Sequence, residues 1–238
     1  LQNMILEDNI ARYGAGIYAT SLSEVKVDNV LFRRNSAKGS DVKMPGLSVS
    51  AYVNGGQGGG IFANDHVRLT IESSDFLDNT AVWGAGIFAR GSTFAVTLDL
   101  NHTAFVGNIA QRSGGAILLK DNAILTMLDS VVVDNQAAAG GGIWLSTTAR
   151  ATITRSVICD NQAIKSTTAF DGNGYGGGIL AYLTNSLLVT DSLIENNEST
   201  LLQNTSSEQA VFLQSDHTQA GSLWDDFALA SSGATCTG

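Results

Sequence analysis

The chain has 238 residues and a formal charge of −9, with 44% hydrophobic and 15% charged residues, 26 glycines and one proline. That length can bury a sizeable core, and an apolar, weakly charged composition excludes a disordered chain; the single proline and the irregular glycine spacing exclude polyproline and collagen. Arg33-Arg34 is the nearest thing to a basic cluster, which excludes the electrostatic footprint of a nucleic-acid partner, and no apolar run reaches the roughly 18 residues of a membrane-spanning helix.

Two short signatures alternate along the chain. Leu6-Glu7-Asp8-Asn9 precedes Gly14-Ala15-Gly16-Ile17, and Phe32-Arg33-Arg34-Asn35 precedes Gly58-Gly59-Gly60-Ile61. Then come Phe76 to Asn79 with Gly84-Ala85-Gly86-Ile87, Phe105 to Asn108 with Gly114-Gly115-Ala116-Ile117, and Val132 to Asn135 with Gly140-Gly141-Gly142-Ile143. Ile158 to Asn161, Gly176-Gly177-Gly178-Ile179 and Ile194 to Asn197 complete the series. From the first glycine of a block to the next Asn is 21 residues in five units and 24 in the sixth. From Asn to the next glycine is 5 or 6 residues, except 23 after Asn35 and 15 after Asn161. The unit is therefore about 26 residues, and insertions collect at one corner, as they do in a solenoid.

Between the blocks lie short alternating segments. Val25/Val27, Leu69/Ile71, Leu98/Leu100, Leu125/Met127, Ala151/Ile153 and Leu187/Val189 flank a residue that is polar in all but one case. Period two over such lengths is strand, not helix. Three short strands and three turns per unit predict an all-β fold, a right-handed single-stranded parallel β-helix of about seven coils. Residues 1–197 form the repeat domain, with insertions at 36–57 and 162–175. Residues 198–238 supply a terminal coil, cap or connector, in which 209–213 is a candidate last first-strand. Leu1 falls in a middle strand, so the sequence reads as a piece of a longer polypeptide.

Stacking places equivalent residues about 4.8 Å apart. The Ile after each glycine block then forms a core column, joined by Ala19, Ala63, Ala89, Leu119, Leu145 and Ala181. The small residues permit a tight corner. The repeated Asn tolerates left-handed geometry and can bond the Asn of the next coil in a ladder. Cys159, in an apolar run, reads as a packed thiol; a bond to Cys236 stays open.

The Gly-Gly-Ala-Ile-like and Phe-x-x-Asn blocks, as in Gly114 to Ile117, Phe32 to Asn35, Phe76 to Asn79 and Phe105 to Asn108, resemble the repeats of the polymorphic outer membrane proteins, the chlamydial surface adhesins. Val132, Ile158 and Ile194 depart from the Phe. The resemblance covers about residues 1–197 and implies an adhesive β-helix on a cell surface.

β-Helices also host carbohydrate enzymes, whose chemistry needs converging carboxylates or a base. The outward middle-strand residues Lys26, Thr70, Asp99, Thr126, Thr152 and Leu188 supply one acid and one base, two coils apart. Asp78, Asp134 and Asp160 read as turn formers, Asp225-Asp226 as a solvated pair, and His66, His102 and His217 lack metal-ligand spacing. The expectation is no catalytic residue, no metal and no cofactor.

One feature exceeds what folding needs. Tyr18, Phe62, Phe88, Leu118, Trp144 and Leu180 each follow the core Ile and should face outward, making a contiguous apolar stripe of the kind that marks contacts. Three covers compete: the insertions, a protein partner, and a stacked glycan. In the partner case Trp144 is the expected hot spot, and changing Phe88 and Trp144 to Ser should abolish assembly with the fold intact. Asn101, Asn197 and Asn204 stand in sequons and are candidate glycosylation sites.

The resulting expectation is a non-catalytic, extracellular structural or adhesive module of a larger surface or filament protein. Its partners would be other protein subunits, the rest of its own polypeptide, or cell-surface glycans, with no nucleic acid and no direct membrane insertion. The alternative is a carbohydrate-active β-helix enzyme or glycan-binding module.

Overall fold

The computed structural model describes residues 1–40, 54–164, 174–182, 186–200 and 211–214. Among these the chain is strand and turn without helix, and the strands of successive coils pair in parallel. Each coil has four strand segments rather than three. The first strand recurs as Ile17–Thr20, Ile61–Asn64, the start of Ile87–Asn101, the start of Ile117–Leu128, Ile143–Ser146, Ile179–Tyr182 and Val211–Gln214. The middle and third strands follow in the same large sheet. A short fourth strand just after each ladder Asn, such as Ser36–Ala37, Thr80–Trp83 and Gln162–Ala163, forms a separate seven-stranded sheet.

That fourth strand corrects the insertion boundaries. Ser36 and Ala37 pair with Ile10 and Ala11, and Gln162 and Ala163 pair with Gln136 and Ala137, so these residues belong to the regular coil. Ser199 extends the same sheet, and Val211 pairs with Ile179, so the solenoid passes 197. The first insertion leaves on an antiparallel pair, Gly39–Ser40 with Asn54–Gly55. Residues 41–53, 165–173, 183–185, 201–210 and 215–238 lie outside the described residues, and with them Asn204, Cys236, His217 and Asp225-Asp226. Gln2 pairs with Asp28, which puts Leu1 at the register of Val27 in the middle strand, as expected. Leu1, Met4 and Ile5 are exposed on this first coil.

The core follows the repeat. Ile61, Ile87, Ile117, Ile143 and Ile179 are fully buried in one register column, with Ile17 half-buried at its end. Phe32, Phe76 and Phe105 stack beneath the glycine blocks, ring centroids 4.5 and 4.6 Å apart and nearly parallel. Val132, Ile158 and Ile194 continue that column in the same register. The glycine before Ile is a close approach: a Cβ on Gly86 would lie 2.6 Å from the Ala116 carbonyl and 2.8 Å from the Phe105 ring. Alanine replaces glycine in this place at Ala116, in the coil where Val132 replaces Phe.

The Asn ladder runs from Asn9 through Asn35, Asn79, Asn108, Asn135 and Asn161 to Asn197. Each Nδ2 donates to the next Asn Oδ1 at 2.9–3.0 Å, and the same oxygen accepts the preceding backbone N–H. From Asn35 onward each Nδ2 also donates to a third-strand carbonyl of the previous coil. The left-handed residue is not the ladder Asn but the one before it: Asp8, Arg34, Asp78, Gly107, Asp134, Asp160 and Asn196 all have φ near +55 to +65°. The corner thus divides its labour, since a left-handed turn residue aims the next amide inward along the axis.

A second polar ladder lies at the middle-to-third corner. Ser74, Thr103, Ser130, Ser156 and Ser192 donate to the carbonyl two residues back. All but Thr103 accept a backbone N–H from the previous coil. Cys159 is buried and disulfide-bonded, so it is not the packed thiol the sequence suggested.

Candidate binding groove

Parallel pairing without offset turns each coil position into a row along the solenoid axis, and three such rows build a groove of about 740 Å³ over the first strands. Its floor is the predicted stripe. Tyr18, Phe62, Phe88, Leu118, Trp144 and Leu180 are consecutive register partners. Phe62, Phe88 and Leu118 form a small apolar cluster separate from the main core, with Tyr13, Trp83 and Trp144 packed on it. Tyr18 is 53% exposed at the open end, Trp144 is half-buried, and Leu180, though buried, is not part of the groove lining.

One wall comes from the residue before each glycine block, which the left-handed first glycine directs toward the floor. Tyr13, Gln57, Trp83, Ser113 and Ala139 are bridge partners there. Tyr13 stacks on Phe62 with centroids 5.8 Å apart, and Trp83 faces Trp144 at 6.4 Å. The Arg112 guanidinium sits 5.0 Å over the Trp83 ring. These groups supply cover for the stripe beyond that expected from the insertions, although Gly55 and Gln57, within 36–57, also line the groove. Whether residues 41–53 and 165–173 add to it lies outside the described residues.

The other wall is the next outward position of the first strand. Asn64, Arg90, Lys120, Ser146 and Tyr182 stand in register on five successive coils. The groove lining contains Arg90, Arg112 and Lys120 and, among the described residues, no Asp, Glu or His. Elsewhere several cations sit on carboxylates, Arg33 and Arg34 on Glu7 and Asp8, Arg68 on Asp99 and Arg155 on Asp129, while Lys38 and Arg150 make no ion pair with a described residue. Arg90, Arg112 and Lys120 make no ion pair with a described residue. Asn64 Oδ1, Arg90 Nε and Trp144 Nε1 are buried at this groove without a hydrogen-bond partner.

The sequence pointed to the floor and missed both walls. The second wall was legible by carrying the same alternation two residues further. The first wall was not, because the residue before the glycines belongs to no strand pattern, and its direction depends on the left-handed turn.

Asn197 is the last described rung of the ladder, with its Nδ2 donating to Ile158 O and Glu195 O, so a glycan there would remove at least one of these bonds. Asn101 is half-buried with an unpartnered Oδ1. His66 packs against Phe94 with the rings tilted, and His102 occupies a left-handed corner position. No group of three His, Cys, Asp or Glu among the described residues is placed to hold a metal ion, and no described helix could cross a membrane. Neither a curated protein nor a solved structure matches the chain significantly. The family model described as right handed beta helix region matches residues 2–158, well over half of the chain, and the protein belongs to that family.

Proposed function

We propose that this protein is a non-catalytic, extracellular adhesive β-helix module that holds an extended partner along the groove over its first strands. One observation carries the reading: a long groove lined by aromatic rings and unpaired cations, with no carboxylate or imidazole among its described lining. Glycoside hydrolysis needs two carboxyl groups flanking the bond, and this lining offers none. Binding needs an apolar floor and a few convergent polar groups, which it does offer. The disulfide at Cys159 supports an oxidising, extracellular compartment. The resemblance to the repeats of surface adhesins points the same way.

The test is retention against turnover. The chain is passed over a panel of immobilised matrix proteins and polysaccharides, and each captured partner is then incubated with it. The expected result is stable capture of at least one extended polymer with no new reducing ends and no unsaturated sugar by ultraviolet absorbance. Steady product release would establish the enzyme instead. Capture by nothing would remove the adhesive reading.

A further inference from the structure

We infer that the outward face of the third strands around Cys159 is the docking surface of the chain's own C-terminal segment, residues 215–238, clamped there by a disulfide between Cys159 and Cys236. This surface lies on the third strands, not over the first, so the inference does not depend on what the groove binds. Cysteine arithmetic is the first argument. Cys159 is disulfide-bonded, and the sequence holds one other cysteine, Cys236. Closing that bond joins the two sulfurs and passes two protons and two electrons to a small disulfide oxidant, which leaves as two thiols.

Burial is the second argument. Cys159 follows the core residue Ile158, so strand alternation points it outward. Its register partners on the two adjacent coils, Val133 and Glu195, are half-buried, yet Cys159 is 1% exposed. The sheet gives all three the same surroundings, so the extra cover at Cys159 comes from outside the sheet. The neighbouring outward row locates that cover. Val131 is 36% exposed, whereas Val157 and Leu193, in the same row on the next two coils, are half-buried. The cover thus lies over the last two described third strands, at the C-terminal end of the solenoid.

Reach and chemistry are the third argument. Val211–Gln214 pairs with Ile179–Tyr182 as the last described first strand. Counting on from Val211 by the 18 residues that separate Ile179 from Asn197 arrives at Leu229, not Asn, so the ladder signature does not recur. From Gln214 to Cys236 are 22 residues, up to about 70 Å of extended chain, and turning back by one coil costs only about 4.8 Å of that reach. The segment is apolar at Leu223, Trp224, Phe227 and Leu229. Val133, Val157 and Leu193 offer it a face with neither charge nor hydrogen-bonding side chain, the kind of patch that marks a contact.

Proteolysis of the unreduced full chain followed by mass spectrometry should give one species joining the Cys159 and Cys236 peptides, and the unreduced protein should run as a monomer on a denaturing gel. A disulfide-linked dimer would assign this face to a second copy, and a Cys159 peptide joined to a small thiol would remove the clamp; either result overturns the inference. Docking itself is read in Cys236→Ser, as the alkylation rate of Cys159. The segment should still shield that thiol, and adding Trp224→Ser and Leu229→Ser should raise the rate at least tenfold, with melting curves checking that both variants are folded. Equal rates in the two variants, or a rate in Cys236→Ser already equal to that of the urea-unfolded chain, would overturn the docking surface.

Discussion

At the scale of single residues, the structure rests on amides and left-handed corners whose satisfaction depends on neighbours in two coils. Asn108 donates to Asn135 and to the Phe76 carbonyl, and accepts from the Asn79 side chain and backbone. Asn108→Ala therefore orphans buried groups on both sides and should cost about 2–4 kcal/mol, from several bonds at roughly 1 kcal/mol each plus unpaired partners. Asn9→Ala, on the exposed first coil, should cost well under half of that; urea unfolding of the two variants checks the order. Acidic residues at the corners behave differently. The hydrogen bond from Arg155 holds the Asp129 carboxyl below its ordinary value, and Arg34 does the same to Asp8. Because the folded pKa is depressed, any stabilisation from these pairs is present above the ordinary Asp value near 3.9 and is lost as pH falls through the lower folded value. Both pairs are on the surface, so the effect on stability is small. The clean readout is the Asp129 carboxyl titration by NMR, which should shift up in Arg155→Gln.

At the scale of elements, strands were legible in the sequence wherever an apolar residue alternated with a polar one, and corners only in part. The Ile column, the Phe stack and the Asn ladder are all repeated letters at a fixed spacing, so stacking follows from periodicity alone. The short fourth strand was hidden because two residues such as Ser36-Ala37 carry no period of their own, and it was absorbed into the apparent insertions. The Ser/Thr ladder escaped because Ser and Thr are common in this chain and one per coil does not stand out. The groove floor and its need for cover were legible, but the source of that cover was not, since Tyr13 sits at an isolated bridge and Trp83 at the end of the short fourth strand. That cover changes one expectation. Phe88 is buried within the stripe cluster, so Phe88→Ser should itself destabilise by about 2–4 kcal/mol, and it is a poor test of binding. Trp144→Ser should be milder, because Trp144 is half-buried. Gly86→Ala, by contrast, forces a methyl against the Ala116 carbonyl and the Phe105 ring, and overpacking of this kind should cost about 1–3 kcal/mol, read as a lower melting temperature.

At the scale of the whole molecule, a solenoid separates the columns that make it fold from the rows it shows to solvent. The core columns lie inside the coil, and the groove rows lie outside one sheet, so ligand contacts can vary from coil to coil without disturbing the fold. Asn64, Arg90, Lys120, Ser146 and Tyr182 differ in chemistry while sharing one register position. Cys159 is disulfide-bonded, so alkylation of the unreduced protein should leave it unmodified, with reduction lowering the melting temperature. The central claim, that the outer face of the first strands is a binding groove, is tested most directly by hydroxyl-radical footprinting with a saturating amount of an extended polymer that the chain captures. Trp83, Trp144 and Tyr182 should be strongly protected, while Ile10, Ile109 and Val131, exposed on other faces, keep their free-state oxidation. Protection of those three with the groove aromatics unchanged would contradict the account.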